Sequence, residues 1–146
     1  MSNNFKLTFH TTDSIKELKL PLFSNKVCAG FPSPAEDHLE QKLDLNQFLI
    51  KHPAATFFVK VEGDSMKGGG ILNGDLLIVD RAITPQNGQV IVAVLNGEFT
   101  LKRIKKEGSR LFLKPENPSF PLIEVTEEMD FQVWGVVTYA IHSCMA

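Results

Sequence analysis

From Thr56 onward the chain is a succession of short apolar runs separated by turn-forming residues. Thr56–Val61, Asp75–Asp80, Gln89–Leu95, Glu98–Ile104, Arg110–Lys114, Leu122–Val125 and Phe131–Ile141 all have the length and β-branched content of strands. The pattern predicts a mostly β, strand-rich domain. Two of the runs flank Asn96-Gly97. That pair suits the positive φ angles of a two-residue type I′ turn. Such a turn puts Leu95 opposite Glu98 and Ile91 opposite Lys102. Directly paired residues share a face, and neighbours two positions away join them. Lys102 is therefore expected among Ile91, Ala93, Thr100 and Ile104.

The first half of the chain reads differently. Phe5, Leu7 and Phe9 alternate like a short strand, with a disordered tail as the other reading. Leu18–Phe23 is apolar but interrupted by Pro21. Ser33-Pro34-Ala35-Glu36 has the form of a capping box with proline at the first helical position. It predicts a short helix with Leu39 and Leu43 on one face. Asp44-Leu45-Asn46-Gln47 restarts a helix, which should stop before Pro53. Residues 1–29 form an N-terminal arm in this reading, and residues 30–146 the body.

Composition narrows the function classes. A chain of 146 residues can bury one core of ordinary size. A net charge of −2 argues against a general DNA-binding surface. The basic run Arg103-Ile104-Lys105-Lys106 reads as a solvated strand end or as a contact for a partner. Cys28 and Cys144 lie far apart, which fits a reducing, cytoplasmic setting rather than a disulfide framework. No Cys/His spacing suggests a metal site, and His10, His38, His52 and His142 are scattered. No cofactor is expected. The sequence has neither a long apolar run nor a signal-peptide core, so no membrane partner is expected.

Candidate chemistry rests on Ser65, in Gly63-Asp64-Ser65-Met66, and on Lys102. Serine needs a base beside it at neutral pH. Lysine serves only when uncharged, and an apolar setting lowers its pKa. The mostly apolar neighbours of Lys102 suit that requirement; a solvated strand lysine is the plain alternative. Backbone N–H groups of Ser65 and Met66 are candidates for an oxyanion hole. Asp64 is given a turn role, because a carboxylate at Lys102 would raise the lysine pKa. Gly68-Gly69-Gly70 reads either as a turn or as room for an incoming peptide. Upstream, Val27-Cys28-Ala29-Gly30 is a small-residue stretch, either a hinge or a cleavable bond between Ala29 and Gly30.

Gly63-Asp64-Ser65-Met66, Asn73-Gly74-Asp75-Leu76-Leu77-Ile78-Val79-Asp80 and Gly97-Glu98-Phe99-Thr100-Leu101-Lys102 resemble the LexA/UmuD group of self-cleaving Ser-Lys proteins. Gly30-Phe31-Pro32-Ser33-Pro34-Ala35, Asp44-Leu45-Asn46-Gln47, His52-Pro53-Ala54-Ala55-Thr56 and Phe131-Gln132-Val133-Trp134-Gly135-Val136-Val137 resemble the UmuD subgroup in particular. The resemblance runs from about Leu20 to the C-terminus. It implies a LexA/signal-peptidase-like catalytic domain, with short N-terminal helices and an extended arm. It implies Ser65 as nucleophile, Lys102 as general base and Ala29-Gly30 as the scissile bond. UmuD often has cysteine just before the scissile glycine; here Ala29 takes that place and Cys28 precedes it. The partners implied are a second copy of the chain, a RecA filament on single-stranded DNA, and a UmuC-like DNA polymerase subunit. The implied role is SOS mutagenesis, in which the trimmed homodimer serves an error-prone translesion polymerase. A LexA-like repressor and a non-cleaving polymerase-binding module are the alternatives. The repressor needs a larger N-terminal DNA-binding domain than the 29 residues before the cut, so sequence-specific DNA binding is not expected.

Overall fold

The computed structural model describes residues 6–11, 17, 19–23 and 39–145. The chain divides into two compact units, residues 14–51 and the remainder.

In the smaller unit, β2 (Lys19–Phe23) pairs antiparallel with β3 (Leu39–Asp44), followed by α1 (Leu45–Leu49). The Asp44 side chain caps α1 by accepting from Gln47 N, and the helix closes at Ile50, ahead of Pro53, as expected. The helix expected to carry Leu39 and Leu43 is not found: that stretch is β3. The i, i+4 spacing of the two leucines is outweighed by the pairing demand of β2. A strand left alone would keep a row of unpaired N–H and C=O groups. Pro21 is tolerated because a two-stranded ribbon leaves one side of β2 unpaired, where a missing N–H costs nothing. The proposed capping box Ser33–Glu36 lies outside the described residues.

The larger unit is an eight-stranded antiparallel sheet, which bears out the mostly β expectation. It contains β1 (Lys6–Thr11), β4 (Thr56–Glu62), β5 (Leu76–Asp80), β6 (Val90–Leu95), β7 (Glu98–Glu107), β8 (Arg110–Lys114), β9 (Ile123–Val125) and β10 (Phe131–Ile141). Their spatial order is β1-β4-β5-β10-β6-β7-β8-β9. Leu7 and Phe9 of the arm are thus part of a strand, paired with β4 from Lys6↔Glu62 to Thr11↔Phe57, while Phe5 lies outside the described residues.

Alternation along the strands builds two apolar clusters. Phe57, Val59, Val61, Leu77, Val79, Val92 and Leu101 form one, joined by Met66 and Ile71 from the loop after β4. Ile91, Ala93, Ile104, Leu113 and Val136 form the other. The β6–β7 turn has Asn96 at φ 50° and Gly97 at φ 82°, as a type I′ turn requires. Its register pairs Leu95 with Glu98 and Ile91 with Lys102, as the spacing predicts.

Two buried carboxylates are tied down by half-exposed histidines. Asp80 meets His52 Nδ1 at 2.6 Å, and Asp75 meets His142 Nδ1 at 2.8 Å.

Candidate active site

Ser65 sits in the loop that leaves β4 and returns at β5. Backbone bonds staple the loop's base: Val61 N donates to Asp75 O at 2.9 Å, and Gly74 N to Val61 O at 2.7 Å. The Asn73 side chain accepts from Gly63 N, and the Asp75 carboxylate from Leu72 N. Within the loop, Lys67 N donates to Asp64 O, and both Gly69 N and Ile71 N reach Met66 O. Met66 plunges into the first apolar cluster at 1 % exposure and fixes the neighbouring serine.

The segment after β8 clamps the loop from another side. Glu116 N and Asn117 N both donate to Ser65 O, at 3.1 and 3.0 Å. Asn117 Nδ2 donates to Asp64 O at 3.1 Å. Arg103, next to Lys102, pairs with the Glu116 carboxylate. Gly68 and Gly69 lie directly against Glu116; a Cβ on Gly69 would come within 2.6 Å of Glu116 Cγ. At these two positions the glycines serve close packing, not room for a peptide. A cleft of about 680 Å³ does open beside the loop, lined by Lys60, Val61, Glu62, Gly63, Asp64, Asn73 and Gly74.

Both candidate catalytic side chains are buried, Ser65 to 1 % exposure and Lys102 to 4 %. The Lys102 neighbours expected from the hairpin, Ile91, Ala93, Thr100 and Ile104, are all buried too. Burial lowers the Lys102 pKa from 10.5 to about 8. The ammonium loses hydration that apolar surroundings do not replace. Lys102 Nζ donates to Thr100 Oγ1 at 2.6 Å. Ser65 Oγ has no hydrogen-bond partner among the described residues. The Ser65 carbonyl is held by Glu116 N, and the Glu116 carboxylate pairs with Arg103, the residue after Lys102 on β7.

Asp64 is exposed, and its carbonyl holds the turn, in keeping with the structural role given to it. Ala29 and Gly30 lie outside the described residues, as does Cys28. Among the described residues no His/Cys/Asp/Glu group is arranged to hold a metal, and no helix is long and apolar enough to cross a membrane. Sequence reasoning placed Thr100 beside Lys102, from its spacing on one strand face, but missed Asp75, Glu116 and Asn117 as supports of the site.

A stapled loop presenting a buried serine, in a sheet domain that also buries a lysine, defines a class: a strand-rich protein with candidate serine chemistry. A Peptidase S24-like family model matches residues 21–138, and the chain belongs to that family. It is a serine peptidase of the self-cleaving kind. The chain is 48 % identical to Protein SamA of Salmonella typhimurium over 122 residues, covering 84 % of each. It is 37 % identical to Protein MucA of Escherichia coli over 134 residues, covering 91 % of each. It is 40 % identical to the LexA repressor of Bordetella avium over 134 residues, covering 88 % of this chain and 62 % of that protein. The kinship with the LexA/UmuD group read from the motifs is borne out.

Proposed function

We propose that this chain is a UmuD-like protein of SOS mutagenesis that cuts itself between Ala29 and Gly30, with Ser65 as nucleophile and Lys102 as base. The observation that carries the reading is a buried lysine whose pKa has fallen to about 8, in a domain that also buries a serine hydroxyl with no hydrogen-bond partner among the described residues. At pH 7 about one Lys102 in ten is neutral, against fewer than one in about a thousand for a free lysine. In the productive pose, neutral Nζ takes the proton from Ser65 Oγ as Oγ bonds to the Ala29 carbonyl carbon. Among the described residues no hydrogen bond uses the N–H of Ser65 or Met66, so both are available to the oxyanion. The proton passes to the departing Gly30 nitrogen, and water then releases the acyl group from Ser65.

Tethering supplies the missing power. An intramolecular substrate reaches effective molarities of ~10⁵ M or more when well oriented. The resting bond from Lys102 to Thr100 suits latency, since the amine's proton points at another hydroxyl. A RecA filament on single-stranded DNA would act by favouring the productive pose. The trimmed chain, as a cytoplasmic homodimer, would then serve a UmuC-like polymerase subunit. Kinship with SamA and MucA supports this assignment.

The test is incubation of the purified chain across pH 6–11, read by intact mass beside Ser65→Ala and Lys102→Ala. Fragmentation after Ala29 in the parent alone is expected. A folded parent that stays whole at pH 10 removes the dyad and leaves a non-cleaving binding module.

A further inference from the structure

The strand at the start of the chain raises a question that bond cleavage alone does not answer. β1 is the last strand of its sheet and, among the described residues, pairs only with β4. It matches β4 over six consecutive pairs, Lys6↔Glu62 through Thr11↔Phe57. β4 is a poor strand to leave at an edge. Phe57, Val59 and Val61 are buried core residues, and β4 has neither proline nor bulge. An uncovered edge of that kind is a template for other chains. The bond proposed to break lies eighteen residues beyond Thr11, so none of these pairs is touched by the cut.

We propose that the outer edge of β4 is a strand-docking site whose resident is residues 6–11, and that severing the chain downstream leaves this strand seated as a noncovalent piece. Breaking the chain removes the tether, not the ladder. Before the cut, β1 faces β4 as an intramolecular partner, at an effective concentration set by the intervening chain. After the cut, retention depends on protein concentration. Main-chain bonds supply the affinity, as in other strand additions to a sheet edge. Combined with the proposed self-cleavage, maturation then has two steps, scission followed by strand release. The docking claim itself rests on the β1–β4 register alone.

The experiment separates the two ideas by using an added protease. In the full chain carrying Ser65→Ala, a site-specific protease sequence is placed between Asp13 and Ser14 and then cut. Native mass and gel filtration are read at a high concentration and at a hundredfold dilution. Amide hydrogen exchange is followed in residues 57–62. The expected result is co-elution of the N-terminal piece at the high concentration, with β4 amides still slow. Dilution should release the piece and speed exchange of the β4 amides at least tenfold. The variant Thr8→Pro with Phe9→Pro should lose the piece at both concentrations, because one of two consecutive N–H groups on a strand must face its neighbour. Immediate loss of the piece from the parent at both concentrations, with or without unfolding, overturns the proposal. So does equal retention by the double-proline variant.

Discussion

At the residue scale the two candidate catalytic side chains should each leave a stability signature of their own. Ser65 Oγ is buried and has no hydrogen-bond partner among the described residues, so it forfeits the solvation it had in the unfolded chain. Ser65→Ala should abolish cleavage and leave the melting temperature unchanged or raised, checked by calorimetry. A drop of several degrees would mean that the hydroxyl has a structural partner. Lys102 has a folded pKa of about 8 against 10.5 unfolded. Between those values the unfolded chain holds a proton that the folded chain lacks, so stability rises with pH across that window and is lowest below pH 8. The shift corresponds to about 3 kcal/mol below pH 8, of which loss of the Thr100 contact in a variant would cancel about 1. Lys102→Met should thus be more stable than the parent by roughly 2 kcal/mol at pH 7, with the gap shrinking from pH 8 to 10.5 in denaturant titrations. The cleavage rate should climb about tenfold per pH unit below 8 and level off above it. A midpoint near the free-lysine value would show that the base is solvated.

At the scale of elements, the hairpin was legible because a two-residue turn leaves no freedom of register. Asn96-Gly97 set the turn, the turn set the pairing, and the pairing put Lys102 beside Ile91. Deleting Phe99 alone should shift β7 by one residue and turn position 102 to the opposite face. Cleavage should vanish, whereas deleting Glu98 and Phe99 together should preserve the lysine's side of the sheet; exposure of the lysine to amine-labelling reagents distinguishes the two. β3 was not legible, because the spacing of Leu39 and Leu43 carries a helical period and its partner β2 lies twenty residues upstream with a proline inside it. The clamp on the serine loop was equally hidden. Glu116 and Asn117 reach Ser65 through backbone atoms and across some fifty residues of chain, and neither property marks a side chain. Gly68 and Gly69 were visible only as glycines; their abutment on Glu116 needs coordinates. Gly68→Ala should push the loop off that segment, cost about 1–3 kcal/mol and slow cleavage, measured by chemical unfolding and by fragment appearance.

At the scale of the whole molecule, Phe99, Tyr139 and Ile141 are exposed large apolar side chains in the larger unit. They suit the proposed pairing of two copies, and light scattering on the purified chain should give twice the monomer mass. Arg103 is engaged by Glu116 and by the Gly88 carbonyl, and Lys105 by Glu107. The basic run is therefore partly neutralised by neighbouring carboxylates. The near-complete enclosure of Ser65 carries one further consequence. A hydroxyl shut away from water is also shut away from bystanders. General serine-directed inhibitors should therefore label such a chain slowly at best.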